Sequence, residues 1–298
     1  MGAARLLAGL VQVLPPPDLT AIVNVGDDVE LHGLHISPDL DTVTYTVAGA
    51  IDVERGWGLA GETWHAMEAL ARYPLARTWF NLGDRDLGTH LYRTDRLRAG
   101  ASLSAVTAEI AQAWDLGLRL LPVSDDPVRT RITVADGEID FQEYFVRLQH
   151  DIAVTAVRFD GAEASFPAPG VLDAIASAER VLIAPSNPIV SIAPVLAVPG
   201  VRAAVESRRS DVVAISPIIA GAALKGPADR LLRELGHEAS VVGVARLYAP
   251  LAATLVIDDA DAHQVAAVEA EGLRCVVAQT IMRGPAEAAT LARRVLAA

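Results

Sequence analysis

Six short apolar runs rich in β-branched residues constrain this chain more than any other feature. They are "TAIVN" at 20–24, "VTAV" at 154–157, "RVLIA" at 180–184, "DVVAIS" at 211–216, "TLVID" at 254–258 and "LRCVVA" at 273–278. Strands that are apolar on both faces belong in a parallel sheet covered by helices. Helical periodicity fills the intervals at 171–179, 200–208, 227–235, 261–271 and 285–296. The alternation specifies an α/β fold, a doubly wound, Rossmann-like and mostly parallel sheet. Such a sheet binds its ligand beyond the carboxyl ends of the strands.

Between 55 and 150 the rhythm breaks. Helical segments near 61–73, 86–98 and 103–115 arrive without strands between them, which reads as an inserted, largely helical cap on a core of residues 1–54 and 151–298. Within the cap, "RTRITVADGEIDF" reads as a β-hairpin, with Asp136-Gly137 supplying the positive backbone angles of a two-residue turn. The opening "MGAARLLAGL" has the content of a helix start. A doubly wound sheet places a strand and a glycine turn before such a helix, so the first strand is expected to be missing.

Fifty-two per cent hydrophobic residues over 298 positions suffice for a buried core. A net charge of −12 excludes a broad phosphate-tracking surface, and with it nucleic acid as the main partner. The longest apolar stretches, such as "LYAPLAATLVI" at 247–257, fall short of the ~20 residues that cross a bilayer. The chain therefore reads as soluble and cytoplasmic. Its one cysteine, Cys275, permits no internal disulfide and sits in a strand-like apolar setting.

The chemistry concentrates in "NVGDDVELHGLHISPDLD" at 24–41. Five acidic residues, Asp27, Asp28, Glu30, Asp39 and Asp41, stand there with His32 and His35, and no Lys or Arg occurs from Leu6 to Glu54. Asp39 and Asp41, two apart in an extended segment, would point the same way and with Asp27 or Asp28 offer three oxygens to a hard cation such as Mg²⁺. An acidic surface loop is the alternative, and a zinc site on the two histidines lacks a close third ligand. "APSNPIVSIAPVL" at 184–196 offers Ser186, Asn187 and Ser191 at a helix start, either as a phosphate or base contact or as a capped turn. Lys225, the only lysine, lies beside Gly226 in a loop ahead of a helix and suits a diphosphate, without the Walker order. Trp57 and Trp64 offer planar surfaces or core packing, and "GDRDLGTHLYRTDRL" offers a helix with Asp86, His90 and Arg93 on neighbouring turns. Hydrolase and simple dehydrogenase motifs are absent.

Taken in order, "VNVGDD", "HISPDLDTV", "RGWG", "LGDRDLGTHLYRT", "LPVSDDPV", "DFQEYFVR", "APSNPIVSI", "SPIIAG" and "KGPA" resemble the CofD and FbiA transferases of coenzyme F-420 biosynthesis, closer to the actinobacterial FbiA branch. The resemblance implies transfer of a phosphoenolpyruvyl or 2-phospholactyl group from a guanosine diphosphate-linked donor to 7,8-didemethyl-8-hydroxy-5-deazariboflavin, with release of GMP, in a Mg²⁺-dependent homodimer. It implies metal binding by Asp27, Asp28, Asp39 and Asp41, with Asp41 and Arg85 catalytic. Deazaflavin contacts fall to Asp41, Thr42, Trp57 and Arg85, and nucleotide contacts to Gly2, Arg5, Ser186, Asn187, Ser191 and Lys225. The family opens with "GGVGGAR", of which only Gly2 and Arg5 match in "MGAAR", so Met1 is expected to stand where that turn has an internal residue. A competing class, the YvcK-like nucleotide-sugar-binding regulators, shares the fold but lacks strings like "SPDLDT" and "GDRDLGTH".

Overall fold

The computed structural model describes residues 2–298; Met1 lies outside the described residues. Five of the six apolar runs form strands in parallel sheets. Val181–Ile183 pairs with Val212–Ile215, which pairs with Thr254–Asp258, which pairs in turn with Arg274–Ala278. Thr254–Asp258 and Val212–Ile215 are buried at every position, as two-sided helical cover requires. Thr20–Val23 instead pairs with Arg119–Pro122. Among the described residues, no ladder joins this pair to the four-stranded sheet, although both feed one hydrophobic core. Ala21, Ile22, Val181 and Leu182 in the edge strands of the two sheets are half-buried.

Three expectations shift. The run at 154–157 becomes Ala156–Asp160, an antiparallel strand on the hairpin Arg129–Val134 and Gly137–Asp140 rather than a member of the parallel sheet. Its alternating exposure, unlike the two-sided burial of the core strands, is the physical difference. The hairpin turn lies one residue earlier than read: Val134 pairs with Gly137, so Ala135 and Asp136 make the loop and Gly137 alone takes a positive φ. The 55–150 insertion is also interrupted. Helix Leu103–Ala113 and strand Arg119–Pro122 return to the main core through Leu103, Ala111, Leu120 and Leu121. The cap therefore leaves the core twice.

Helix Gly2–Leu10 lies against the C-terminal helix Pro285–Leu296 and against Pro38–Val47. Its glycines are dictated by close approach. A Cβ on Gly9 would stand 2.3 Å from the Ala288 carbonyl oxygen, and one on Gly2 would stand 2.2 Å from that of Pro185. Backbone cannot yield as a side-chain tip can, so Gly9→Ala is expected to cost about 1–3 kcal/mol as overpacking. A lowered urea midpoint at unchanged slope is the check; no change would mean that the two helices slide apart freely.

Candidate active site

The acidic stretch begins where strand Thr20–Val23 ends. Asn24 turns the chain by accepting a hydrogen bond from the Gly26 amide at 2.7 Å. A Cβ on Gly26 would meet Thr130 Oγ1 at 2.6 Å, so glycine alone fits. A short hairpin follows, Val29–Leu31 against Leu34–Ile36, closed by His32 and Gly33 with φ of 54° and 73°. Two successive positive angles make the primed turn that matches strand twist. The hairpin delivers Ser37 to the start of helix Pro38–Val47, with proline in its first turn.

Because Asp39 and Asp41 stand in a helix rather than an extended segment, they point about 200° apart around its axis. The acidic excess is thereby divided. Asp39 turns to Asn24, whose Nδ2 donates both to Asp39 Oδ2 at 2.9 Å and to Asp27 Oδ1 at 3.0 Å. No Arg or His forms an ion pair with Asp27 or Asp39 among the described residues. Burial pushes the Asp27 carboxyl well above the usual range, and the charges of Asp39 and Asp28 add to the rise. Burial raises Asp39 as well. Among the described residues these two carboxylates, Asp27 buried and Asp39 half-buried, share a single side-chain amide donor, and a hard divalent cation fits that donor set.

Asp41 lies in the second group. The Arg93 guanidinium takes both its oxygens, Nη1 donating to Oδ2 at 3.1 Å and Nη2 to Oδ1. His90 stands beside them, Nε2 3.2 Å from Asp86 Oδ2 and Nδ1 3.7 Å from Asp41 Oδ2. Tyr45 donates to Asp86 Oδ1 and accepts from Thr89 Oγ1 at 2.8 Å. Asp41, Asp86 and His90 are themselves close enough to share an ion, but Asp41 already holds the arginine. Asp28 faces elsewhere: its Oδ2 meets His35 Nε2 at 3.0 Å and accepts from Ser37 at 2.9 Å. His32 contacts the Arg77 carbonyl oxygen at 3.0 Å, so the two histidines form no zinc pair.

Within the cap, the segment at 62–66 and the start of helix Asp86–Arg98 are joined by reciprocal capping. Glu62 accepts from the amides of Arg85 and Asp86 at the start of helix Asp86–Arg98, at 2.8 and 2.9 Å. Asp84 accepts in return from Thr63 and from the amides of His65 and Ala66. This places Asp86 and His90 in the cleft wall but leaves Arg85 outside it, with Nη1 donating to the Ala60 carbonyl at 2.5 Å. Trp57 reaches the cleft between Gly56 and Gly58, both at positive φ. Arg55 packs against the Trp57 and Trp64 rings at 5.5 and 5.2 Å.

Across the cleft, Asn187 caps the turn Pro188–Ile192 with Oδ1, accepting from Ile189 N at 2.9 Å, which leaves its Nδ2 available to a ligand. Gly2 touches Pro185 in the same loop, and Arg5 donates to the Met282 carbonyl. The elements enclose a cavity of about 840 Å³. It brings together Gly2, Arg5, Asp27, Asp39, Asp41, Thr42, Trp57, Ser186, Asn187, Ser191 and Lys225; Asp28 and Arg85 are the site expectations that lie outside it.

A family model described as 2-phospho-L-lactate transferase CofD matches residues 1–289. The chain belongs to the CofD family. Curated CofD-like relatives include a phosphoenolpyruvate transferase of Nocardia farcinica, 45% identical over 303 residues, covering 99% of this chain and 91% of that protein. Another, from Kitasatospora aureofaciens, is 46% identical over 303 residues and covers 100% and 94%. A UPF0052-family crystal structure from Bacillus halodurans superposes with a TM-score of 0.62 at 16% identity, covering 99% of this chain and 96% of that one, a likeness of fold. No single helix of this CofD-family chain is long and apolar enough to cross a membrane among the described residues. Tyr45 is a floor residue that the sequence did not single out, and Arg93 is one that it offered only as part of a helix face. The signal for Arg93 lay in the i, i+4 spacing of Asp86 and His90, with the arginine one turn on.

Proposed function

We propose that this chain transfers a phosphoenolpyruvyl group from a guanosine diphosphate-linked donor to the ribityl hydroxyl of 7,8-didemethyl-8-hydroxy-5-deazariboflavin in coenzyme F-420 biosynthesis. The hydroxyl oxygen attacks the phosphorus bearing the enolpyruvyl group, the bond to the guanylate phosphate breaks, GMP leaves, and the hydroxyl proton passes to a base. The observation that carries the reading is the pair Asp27 and Asp39 on the cavity floor, a buried and a half-buried carboxylate on one side-chain amide donor. These residues would hold Mg²⁺, whose charge would stabilise the transferring and leaving phosphates. Asp41, fixed by Arg93, and Thr42 would orient the acceptor, with Trp57 against its ring system. Arg85 has no part in this arrangement, because its guanidinium is engaged outside the cleft. Ser186, Asn187, Ser191 and Lys225 would take the guanosine nucleotide, near Gly2 and Arg5. The same reading carries a cytoplasmic homodimer, which light scattering tests.

The names of the curated relatives favour the enolpyruvyl donor over its lactyl analogue. Incubation with deazaflavin, enolpyruvyl-diphospho-guanosine and Mg²⁺ should release GMP and phosphorylated deazaflavin together; neither product appearing would sink the reading. Trp57→Ala is expected to raise KM for the acceptor about tenfold, the loss of one aromatic contact of ~1 kcal/mol plus buried area. KM for the donor should stay within about twofold, and equal rises in both would refute an acceptor role.

A further inference from the structure

The cleft carries more exposed apolar surface than the acceptor contact at Trp57 uses. Among the described residues two aromatic side chains of its lining are exposed: Trp57 on the cap, at 41%, and Phe145 beyond the hairpin, at 38%. Phe145 lies in a single wide turn, Glu143–Arg147, closed by the Leu148 amide donating to the Glu143 carbonyl five residues back at 2.9 Å. Turns of that width are frequent at functional sites. Gln149 and His150 follow with φ of 50° and 46°, two successive left-handed residues, neither of them glycine. Each such residue costs free energy that the surroundings must offset. Here the His150 amide donates to the Tyr144 carbonyl at 2.8 Å, and Arg230 donates to the His150 carbonyl at 2.5 Å. The turn brings the His150 ring to 5.4 Å from that of Phe145, and Phe141 lies at 5.4 Å on a nearly parallel plane, 19° away. Phe145 is thus braced by two rings while more than a third of it stays open to the cleft.

A second element approaches the same ring. Leu224, 60% exposed, stands in the loop that carries Lys225 and Gly226, and a Cβ on Gly226 would lie 3.8 Å from Phe145 Cε2. Two adjoining segments therefore turn apolar surface toward the cleft beside its lysine. Apolar surface held rigidly in a cleft favours a flat, largely apolar ligand, and an aromatic ring favours one with a π-face of its own. The proposed reaction joins two molecules that each carry a planar ring system, so it calls for two such platforms. Trp57 serves the deazaflavin in that reading. Phe145 is the other exposed ring, and it stands against the loop assigned to the nucleotide.

We infer that Phe145, with Leu224 beside it, is the stacking platform for the purine base of the guanosine nucleotide. The inference rests on the transferase reading and adds to it the place of the base. Calorimetric titration of the purified protein with GMP, in buffer containing Mg²⁺, tests it without turnover. The wild type is expected to bind one equivalent saturably. Phe145→Leu, which keeps an apolar side chain but loses the plane, should weaken GMP binding about tenfold, the scale of one base stacked on one aromatic ring. Phe145→Tyr, which keeps the plane, should stay within about threefold of the wild type, and Leu224→Ala should weaken binding several-fold. Deazaflavin, titrated in the same way, should bind wild type and Phe145→Leu within about twofold of each other. GMP bound equally by the wild type and Phe145→Leu would overturn the inference and leave the transferase reading standing, whereas a wild type that binds no GMP would overturn both. Equal losses in the Leu and Tyr variants, or a loss of deazaflavin binding as large as that of GMP, would reduce Phe145 to a structural residue and overturn its role as a platform.

Discussion

Replacing Asp39 with asparagine is expected to lower Mg²⁺-dependent turnover about a thousandfold while making the metal-free protein more stable at neutral pH. The first effect follows from removing one of two carboxylates that would hold the cation; several kcal/mol of transition-state stabilisation correspond to roughly that factor. The second follows from the electrostatics of the pair without its cation. Asp27 and Asp39 are raised above their ordinary value of 3.8, chiefly by burial. A carboxyl raised in the folded state favours the protonated form, so its contribution is fully present below the unfolded value and is lost as pH rises through the folded one. The metal-free wild type should therefore lose stability on going from acid toward neutral pH at these positions. The amide introduced by Asp39→Asn carries no charge, which removes both the share of the loss that Asp39 brings and its repulsion on Asp27. Mg²⁺ should reverse the loss in the wild type by binding the deprotonated pair, with proton release. Thermal unfolding of both proteins from mildly acidic to mildly alkaline pH, with and without Mg²⁺, measures all of this. Parallel pH slopes and equal Mg²⁺ shifts in the two proteins would refute the cation role.

Much of this arrangement is legible in the sequence, and what is not has a physical cause. The runs that form Val212–Ile215 and Thr254–Asp258 are apolar throughout, which only two-sided burial explains, and both are inner strands of the parallel sheet. The 154–157 run is too short to reveal whether it is buried on one face or two, and it joins an antiparallel sheet. Helix Asp86–Arg98 can be read to the residue because its polar, well-spaced face and terminal arginines agree locally. The first acidic stretch is harder. Nothing local distinguishes an extended "SPDLD" from a helix start except Pro38, yet that choice decides whether Asp39 and Asp41 share a ligand or part company. The compensating charge for Asp41 lies 52 residues away on Arg93, a pairing that no spacing rule reaches. The absence of Lys and Arg from Leu6 to Glu54 is thus only half a metal signal. One carboxylate meets a distant arginine, one meets His35 and Ser37, and the Asp27 and Asp39 pair meets neither.

That distant pairing makes the largest stability effect in the molecule an experiment on Arg93. The side chain is 1% exposed, among the largest fully buried ones, and both terminal nitrogens go to Asp41, itself 5% exposed. The pair fastens helix Asp86–Arg98 of the cap to helix Pro38–Val47 of the core. Arg93→Met keeps much of the aliphatic volume but leaves Asp41 buried without its cation, which is expected to cost about 3–5 kcal/mol of unfolding free energy. Most of that figure is the cost of a stranded carboxylate rather than the worth of the pair, because removing two charges from water offsets much of their attraction. The double replacement Asp41→Leu with Arg93→Met should therefore recover most of the loss. A cycle of the two single and the double variants, measured by urea unfolding, is expected to show a coupling of at least about 2 kcal/mol. Activity should be lost in all three, since Asp41 faces the cleft, so stability is the discriminating readout. If Arg93→Met unfolds within about 1 kcal/mol of the wild type, well below the cost of a stranded buried charge, His90 at 3.7 Å or solvent supplies the charge instead, and the ion pair is not what joins cap to core.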